Sequence, residues 1–183
     1  MAGATGKGVS EEAGVLEQID YYVVTFSKAM GGIGGAVIAR KEVARYLNWY
    51  AKCRMFSCAL GPSVAAGVNQ ALLLAASSDG AARRKRIKEN SIQLREGLSK
   101  IVNIGSSKSW IVPVIYGPEE TTILLADYLL RNGMEGSVME FPAVPVNEAR
   151  VRLFVTSEHT AEHIASCVEI IGRAAGEFNF KKV

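Results

Sequence analysis

Cysteine is scarce in this chain, with three residues, Cys53, Cys58 and Cys167, among 183. An odd and sparse set excludes the disulfide framework of a small secreted domain, and Cys53 and Cys58 have no second pair with which to close a zinc site. An excess of charge of one sign is also nearly absent, with 21 basic residues against 18 acidic ones. The net +3 is too mild to demand nucleic acid or an anionic membrane as partner. Apolar runs such as Ala71 to Ala76 fall far short of the roughly 20 residues of a membrane span, and the opening Met1-Ala-Gly-Ala-Thr-Gly-Lys-Gly8 has no apolar signal core. The expectation is a reducing, cytoplasmic setting without a membrane. What remains is an ordinary globular composition, 49% hydrophobic and 21% charged, with enough chain to bury a core and no sign of disorder or repeats.

Ala2 to Gly8 is glycine-rich and loop-like. Ser10 is a candidate helix cap for a short turn over Ser10 to Ala13. Asp20 to Thr25 reads as a strand, continuous in β-branched and aromatic residues, as in a strand buried on both faces of a parallel sheet. A second strand is expected at Ala36–Ala39. An amphipathic helix is expected at Lys41–Ala51, with Val43, Tyr46, Leu47 and Tyr50 on one face. Pro62 opens a helix to about Ala76. Ser77-Ser-Asp-Gly80 is the clearest linker-like interruption.

A long polar helix then runs from about Ala81 to Ile101. After it come a strand (Trp110–Tyr116), a helix (Glu119–Arg131), a short strand near Val138, a strand (Arg150–Val155) and a helix (Glu158–Ala174). The class is α/β: residues 1–80 form part of a larger sheet domain, and residues 81–183 form a smaller α+β domain.

Chemistry concentrates in Thr25-Phe-Ser-Lys28-Ala-Met-Gly-Gly-Ile-Gly-Gly35. A strand ends in two hydroxyls, delivers a lysine at its carboxyl end and enters a glycine cluster. Open α/β sheets bind ligands outside the carboxyl ends of their strands. Hydroxyls and bare backbone amides suit a phosphate, and a lysine there can form a Schiff base with a carbonyl cofactor.

These residues resemble the cofactor-lysine motif of pyridoxal-phosphate enzymes of fold type I, and among them the α-oxoamine synthases. Further segments match in the family's order. Thr5-Gly-Lys-Gly-Val-Ser-Glu11 is similar to a loop after its cofactor-binding strand, and Phe56-Ser57-Cys-Ala-Leu-Gly-Pro62 to its aromatic-Ser/Thr-Leu-Pro segment. Ser109 to Ile115 is similar to the opening strand of its C-terminal domain. Pro142 to Arg152, with Ser157-Glu-His159-Thr160, is similar to its final strand and helix start.

The resemblance implies pyridoxal 5'-phosphate as cofactor, Lys28 as its covalent anchor and later proton-transfer base, and Thr25 as a phosphate ligand. Ser57 is implied to reach the phosphate from the neighbouring subunit of a homodimer. Arg152, rather than Arg150, is implied to pair with the substrate carboxylate; both lie on the same face of their strand. Bidentate guanidinium geometry suits that task. The implied reaction condenses an amino acid with an acyl-CoA and releases carbon dioxide.

Family members are about twice this length. Their aspartate for the pyridine nitrogen, and the stacking ring further upstream, have no counterpart in this chain. The expectation is therefore the C-terminal half of such an enzyme, inactive alone, whose partner is a missing N-terminal half or a second copy. Two alternatives are a non-catalytic remnant or partner subunit, and an aminotransferase of the same fold type, which would need no acyl-CoA. Glu140-Phe141 before Pro142 departs from the Arg-Pro of many biosynthetic members.

Three other signals are set aside. His159-Thr-Ala-Glu-His163 fits a zinc-peptidase spacing but lacks a distinctive third ligand, and Thr156 or Ser157 makes a natural cap for the helix there. Arg83-Arg-Lys-Arg86 with Lys88 reads as a solvated helix face. Gly3-Ala-Thr-Gly-Lys7-Gly is too short for a P-loop.

Overall fold

Consecutive tyrosines and valines favour the extended backbone, and in the computed structural model, which describes residues 2–178, they form β1 (Tyr21–Thr25). The chain divides into two compact units, Met1–Arg84 and Lys85–Val183. In the first unit β1 pairs antiparallel with β2 (Gly35–Ala39), from Tyr21 opposite Ala39 to Thr25 opposite Gly35. This corrects the expectation of a parallel strand buried on both faces. Tyr22 and Val24 are half-buried, but Tyr21 and Val23 are 61% and 75% exposed. An apolar run records the capacity to be covered on both sides. Among the described residues, this two-stranded sheet has no further strand.

The helices of this unit are α1 (Val9–Glu12), α2 (Lys41–Tyr50), α3 (Lys52–Met55) and α4 (Pro62–Ala76), with Pro62 in the first turn as expected. Gly8, not Ser10, occupies the N-cap of α1, and the Ser10 hydroxyl is buried without a partner among the described residues. On α2, Val43 and Leu47 are half-buried, whereas Tyr46 and Tyr50 are exposed and stack with ring centroids 4.8 Å apart.

The linker expected at Ser77–Gly80 is helical apart from Ser77. The Ser77 hydroxyl donates to the Leu74 carbonyl at 2.6 Å and accepts from the Gly80 N–H at 3.3 Å, closing α4 and opening α5 (Ser78–Leu98). A serine that caps the next helix looks in sequence like one that interrupts it.

The Thr5–Gly8 loop is organised by one carboxylate. Glu11 accepts the Thr5 hydroxyl at 2.7 Å, the Thr5 N–H at 3.0 Å and the Lys7 N–H at 2.9 Å. The Tyr22 hydroxyl donates to the Lys7 carbonyl, and Arg84 donates to the Ala4 carbonyl. The Thr5 hydroxyl and then the Lys7 amide hold the Glu11 carboxyl below its ordinary value.

The second unit carries a hydrophobic core of its own. β3 (Ile111–Gly117), β4 (Ser137–Met139) and β5 (Ala149–Phe154) form an antiparallel sheet in the order β3-β5-β4. Period-two alternation on β5 sends Ala149, Val151 and Leu153 into the core and Arg150, Arg152 and Phe154 to the other face. Val112, Val114, Leu98 and Ile171 join the core, with Leu125 and Leu129 from α6 (Glu119–Arg131). Each such side chain contributes about 1.5–3 kcal/mol by leaving water.

α7 (Ala161–Glu177) starts at Thr160, not at Thr156 or Ser157. Thr160 accepts the His163 N–H at 3.2 Å, and His163 Nδ1 accepts the Thr160 N–H at 3.3 Å. Histidine thus fills the place that Glu or Gln takes in the usual capping box. Cys53 and Cys58 are exposed, and burial pushes the Cys167 thiol up to about 11.

Two predictions follow from this packing. Leu129→Ala, at a fully buried position, is expected to cost about 2–5 kcal/mol in urea unfolding. Leu130→Ala, at the neighbouring position that is 64% exposed, should stay within about 0.5 kcal/mol. For Glu11, a folded-state value below the unfolded one means that the loop's stabilisation is present above the ordinary carboxyl value of 4.5 and lost as pH falls through the lowered folded value. Hydrogen exchange should show Thr5 and Lys7 amides losing protection over that acid range, and Glu11→Gln should abolish the acid step.

Candidate active site around Lys28

The chain leaves β1 at Thr25 and returns to β2 through a turn closed by its own backbone. Phe26 N–H donates to the Gly34 carbonyl at 2.9 Å, Gly32 N–H to the Phe26 carbonyl at 2.8 Å and Gly31 N–H to the Lys28 carbonyl at 3.0 Å. The expectation that this cluster offers bare amides to a phosphate is therefore corrected: the Gly31 and Gly32 amides are spent inside the turn. The glycines serve close approach instead. A Cβ at Gly35 would lie 2.5 Å from the Val24 carbonyl oxygen, and one at Gly32 would lie 2.8 Å from Val68 on α4. The turn is seated on α4 by the absence of side chains.

What this turn presents outward is hydroxyls and an amine. Thr25 Oγ1 and Ser27 Oγ are 2.9 Å apart, and the Ser27 N–H donates to Thr25 Oγ1 at 3.3 Å. The Lys28 side chain is exposed and, among the described residues, its amine makes no hydrogen bond or ion pair. Thr25 and Lys28 thus stand together at the carboxyl end of β1.

Ser57 lies in the same unit, exposed on the loop after α3. Among the described residues, no hydrogen bond joins it to Thr25, Ser27 or Lys28. Its segment nevertheless passes the turn, because Leu60 lies 3.1 Å from where a Cβ of Gly34 would be.

Arg152 belongs to the second unit. On β5 it lies opposite Pro113 of β3 and Ser137 of β4. Its Nε is buried and has no acceptor among the described residues, and its Cζ lies 5.4 Å from the centroid of the Phe154 ring. Arg150, on the same face, is committed: its guanidinium pairs with the Glu148 carboxylate at 3.0 Å and donates to the Glu148 carbonyl at 2.9 Å. The structure gives a physical difference between the two arginines, which strand alternation alone puts on the same face. Sequence reasoning missed Phe154 and Glu148. The available signal was an aromatic residue two positions after the arginine on one strand face, and an acid just before the pair.

The other singled-out residues have structural work. His159 Nδ1 accepts the Thr156 N–H at 3.3 Å, and His163 caps α7. Among the described residues, no group of three or more His, Cys, Asp or Glu could hold a metal. In the basic cluster, Arg83 pairs with Asp79 and Lys85 with Glu89. Arg84 donates to the Ala75 and Ala4 carbonyls, and Arg86 donates to the Ser157 carbonyl. Among the described residues, no helix is long and apolar enough to cross a membrane.

Comparison with known proteins places this geometry. The family model for aminotransferase class I and II matches residues 2–171. The 8-amino-7-oxononanoate synthase of Geobacter metallireducens is 35% identical over 180 residues, covering 96% of this chain and 46% of the relative. The serine palmitoyltransferase of Sphingomonas wittichii aligns with a TM-score of 0.89 at 27% identity, over 97% of this chain and 45% of that one. A serine palmitoyltransferase solved with its pyridoxal-phosphate internal aldimine gives a TM-score of 0.91 at 27% identity, over the same shares. The chain spans about half the length of the curated relatives it matches. It belongs to the aminotransferase class I and II family, of pyridoxal-phosphate fold type I, and its relatives there are the α-oxoamine synthases.

Proposed function

We propose that this chain contributes the cofactor lysine and a substrate arginine to a pyridoxal-phosphate-dependent α-oxoamine synthase, an acyltransferase that joins an amino acid to an acyl-CoA with loss of carbon dioxide. The observation that carries the reading is Lys28: an exposed, unpaired amine at the carboxyl end of a strand, beside a hydroxyl pair, inside the family match.

The residues present fit the cofactor. Thr25 and Ser27 hydroxyls offer donors for a phosphate, and the Lys28 amine is open to a carbonyl carbon. Pyridoxal phosphate, when bound, supplies the electron sink of the reaction. Lys28 would hold it through its amine, and that amine would take and return the proton at the substrate α-carbon. Ser57 supports the phosphate across a homodimer interface. Arg152 receives the amino acid's carboxylate, because its guanidinium has no protein carboxylate to neutralise it.

The setting is cytoplasmic, without membrane or nucleic acid. The remaining half of the fold, in one polypeptide with this chain or supplied to it, is part of the working site. Support for this comes from the open faces of the first unit, where Tyr21, Val23, Ile38, Trp49 and Phe56 are all more than 60% exposed. The same exposure favours a second reading, a non-catalytic remnant or partner subunit.

The test is incubation of the chain with pyridoxal phosphate, borohydride reduction and peptide mapping. The expected result is a visible band that borohydride bleaches, with the stable label on Lys28 and at least tenfold less label in Lys28→Ala, an order-of-magnitude expectation for a site-specific lysine. Label scattered over surface lysines would favour the non-catalytic reading. With the complementary half of a relative supplied, release of free CoA from an acyl-CoA would separate the synthase from an aminotransferase.

A further inference from the structure

We infer that Phe154 is a positioning residue for Arg152, holding its guanidinium on the open face of the second unit's sheet for the carboxylate of an amino acid. The inference rests on the reading of Arg152 given above and adds what orients it.

On β5, residues 150, 152 and 154 share the face opposite the core. Arg150 is tied back to Glu148, so the remaining cation on this face is Arg152. Its cross-strand neighbours, Pro113 and Ser137, bring no negative charge. What it does meet is the Phe154 ring, 5.4 Å from Cζ to centroid.

An aromatic face attracts a cation through its quadrupole and takes up none of its N–H donors. A carboxylate at position 154 would orient the guanidinium equally well but would occupy the donors and cancel the charge. Phenylalanine orients it and leaves the in-plane donors for a bidentate carboxylate. The buried, unpartnered Nε is what this arrangement leaves over. A donor stripped of water without an acceptor is unfavourable, so folding holds the guanidinium here at a cost, and its terminal Nη groups are the donors that a carboxylate would meet. Phe154 itself is 48% exposed, so core packing does not account for an aromatic ring here.

The test uses the full chain with nitrogen-15-labelled arginine side chains, the Arg152 Nε–H resonance being assigned by its loss in Arg152→Lys. Sodium acetate is the probe, titrated at constant ionic strength, and the backbone amides of Val112 and Val151 report the fold. In the natural chain and in Phe154→Tyr, the Arg152 resonance should carry a ring-current shift and move with acetate. In Phe154→Leu the ring shift should vanish and acetate binding should weaken about two- to fivefold, with the fold reporters unchanged. An unaltered resonance and an unaltered acetate titration in Phe154→Leu would overturn the inference. Loss of the ring shift in Phe154→Leu, with no acetate response in any protein, would support Phe154 as the positioning group and overturn the carboxylate reading of Arg152.

Discussion

The turn between β1 and β2 closes its backbone hydrogen bonds within itself, and the position of Lys28 depends on that closure. Phe26, Gly31 and Gly32 donate to carbonyls of the turn, and the bare α-carbon of Gly35 passes under the Val24 carbonyl. A methyl group at Gly35 would collide with backbone rather than with a yielding side chain. Either β2 would move out of register, and the pairing of Thr25 with Gly35 would go with it, or the turn would open. Lys28 is then an amine on a braced backbone, with its own torsions as its freedom. On the function proposed above, that suits an amine that would hold a ligand covalently and then move a proton at a neighbouring atom.

The two units resolve the same packing problem to different extents. In the second, one face of the three-stranded sheet is sealed by α6, α7 and the end of α5, and residues such as Val112, Leu125, Leu129 and Ile171 reach zero exposure. In the first, Val68 is the one large apolar side chain recorded as buried among the described residues, while valines, tyrosines and a tryptophan stand in the open. Hydrophobic stabilisation scales with area removed from water. The first unit therefore leaves much of its apolar surface uncovered among the described residues, in a chain about half as long as its relatives. Thr25, Lys28 and Ser57 belong to this exposed unit and Arg152 to the sealed one.

Much of the element order was legible because periodicity survives without partners. Glu119–Arg131 and Pro62–Ala76 carry helical apolar spacing between clear start and stop residues, and both helices have the expected bounds. Residues 149–154 alternate cleanly because one face is sealed. The readings that failed concern what a residue faces. The run at 21–25 is apolar all round whether or not a second layer covers it. Ser77 reads as a break until its hydroxyl is seen bonding Leu74 and Gly80. Thr160 loses to Thr156 and Ser157 as a cap unless histidine is allowed at the third helical position. The Lys28 motif was recognisable from sequence, but the inward direction of its glycine amides was not, since glycine permits either.

The arginine pair shows where a charge can be read and where it cannot. From sequence, Arg150 and Arg152 are two cations on one strand face, a repulsive arrangement that only the family resemblance ranks, in favour of Arg152. Glu148 resolves it by binding Arg150 through both its carboxylate and its carbonyl. An exposed pair of this kind contributes little to stability, yet it changes the electrostatics of the face by leaving one positive charge in place of two. A lone guanidinium would spread over many rotamers, and the Phe154 ring narrows them without neutralising it. Folding alone gives no reason to leave a buried Nε–H unsatisfied beside a committed arginine on the same face. On the function proposed above, an anion received by the remaining donors of the guanidinium would offset that cost through charge-assisted hydrogen bonds.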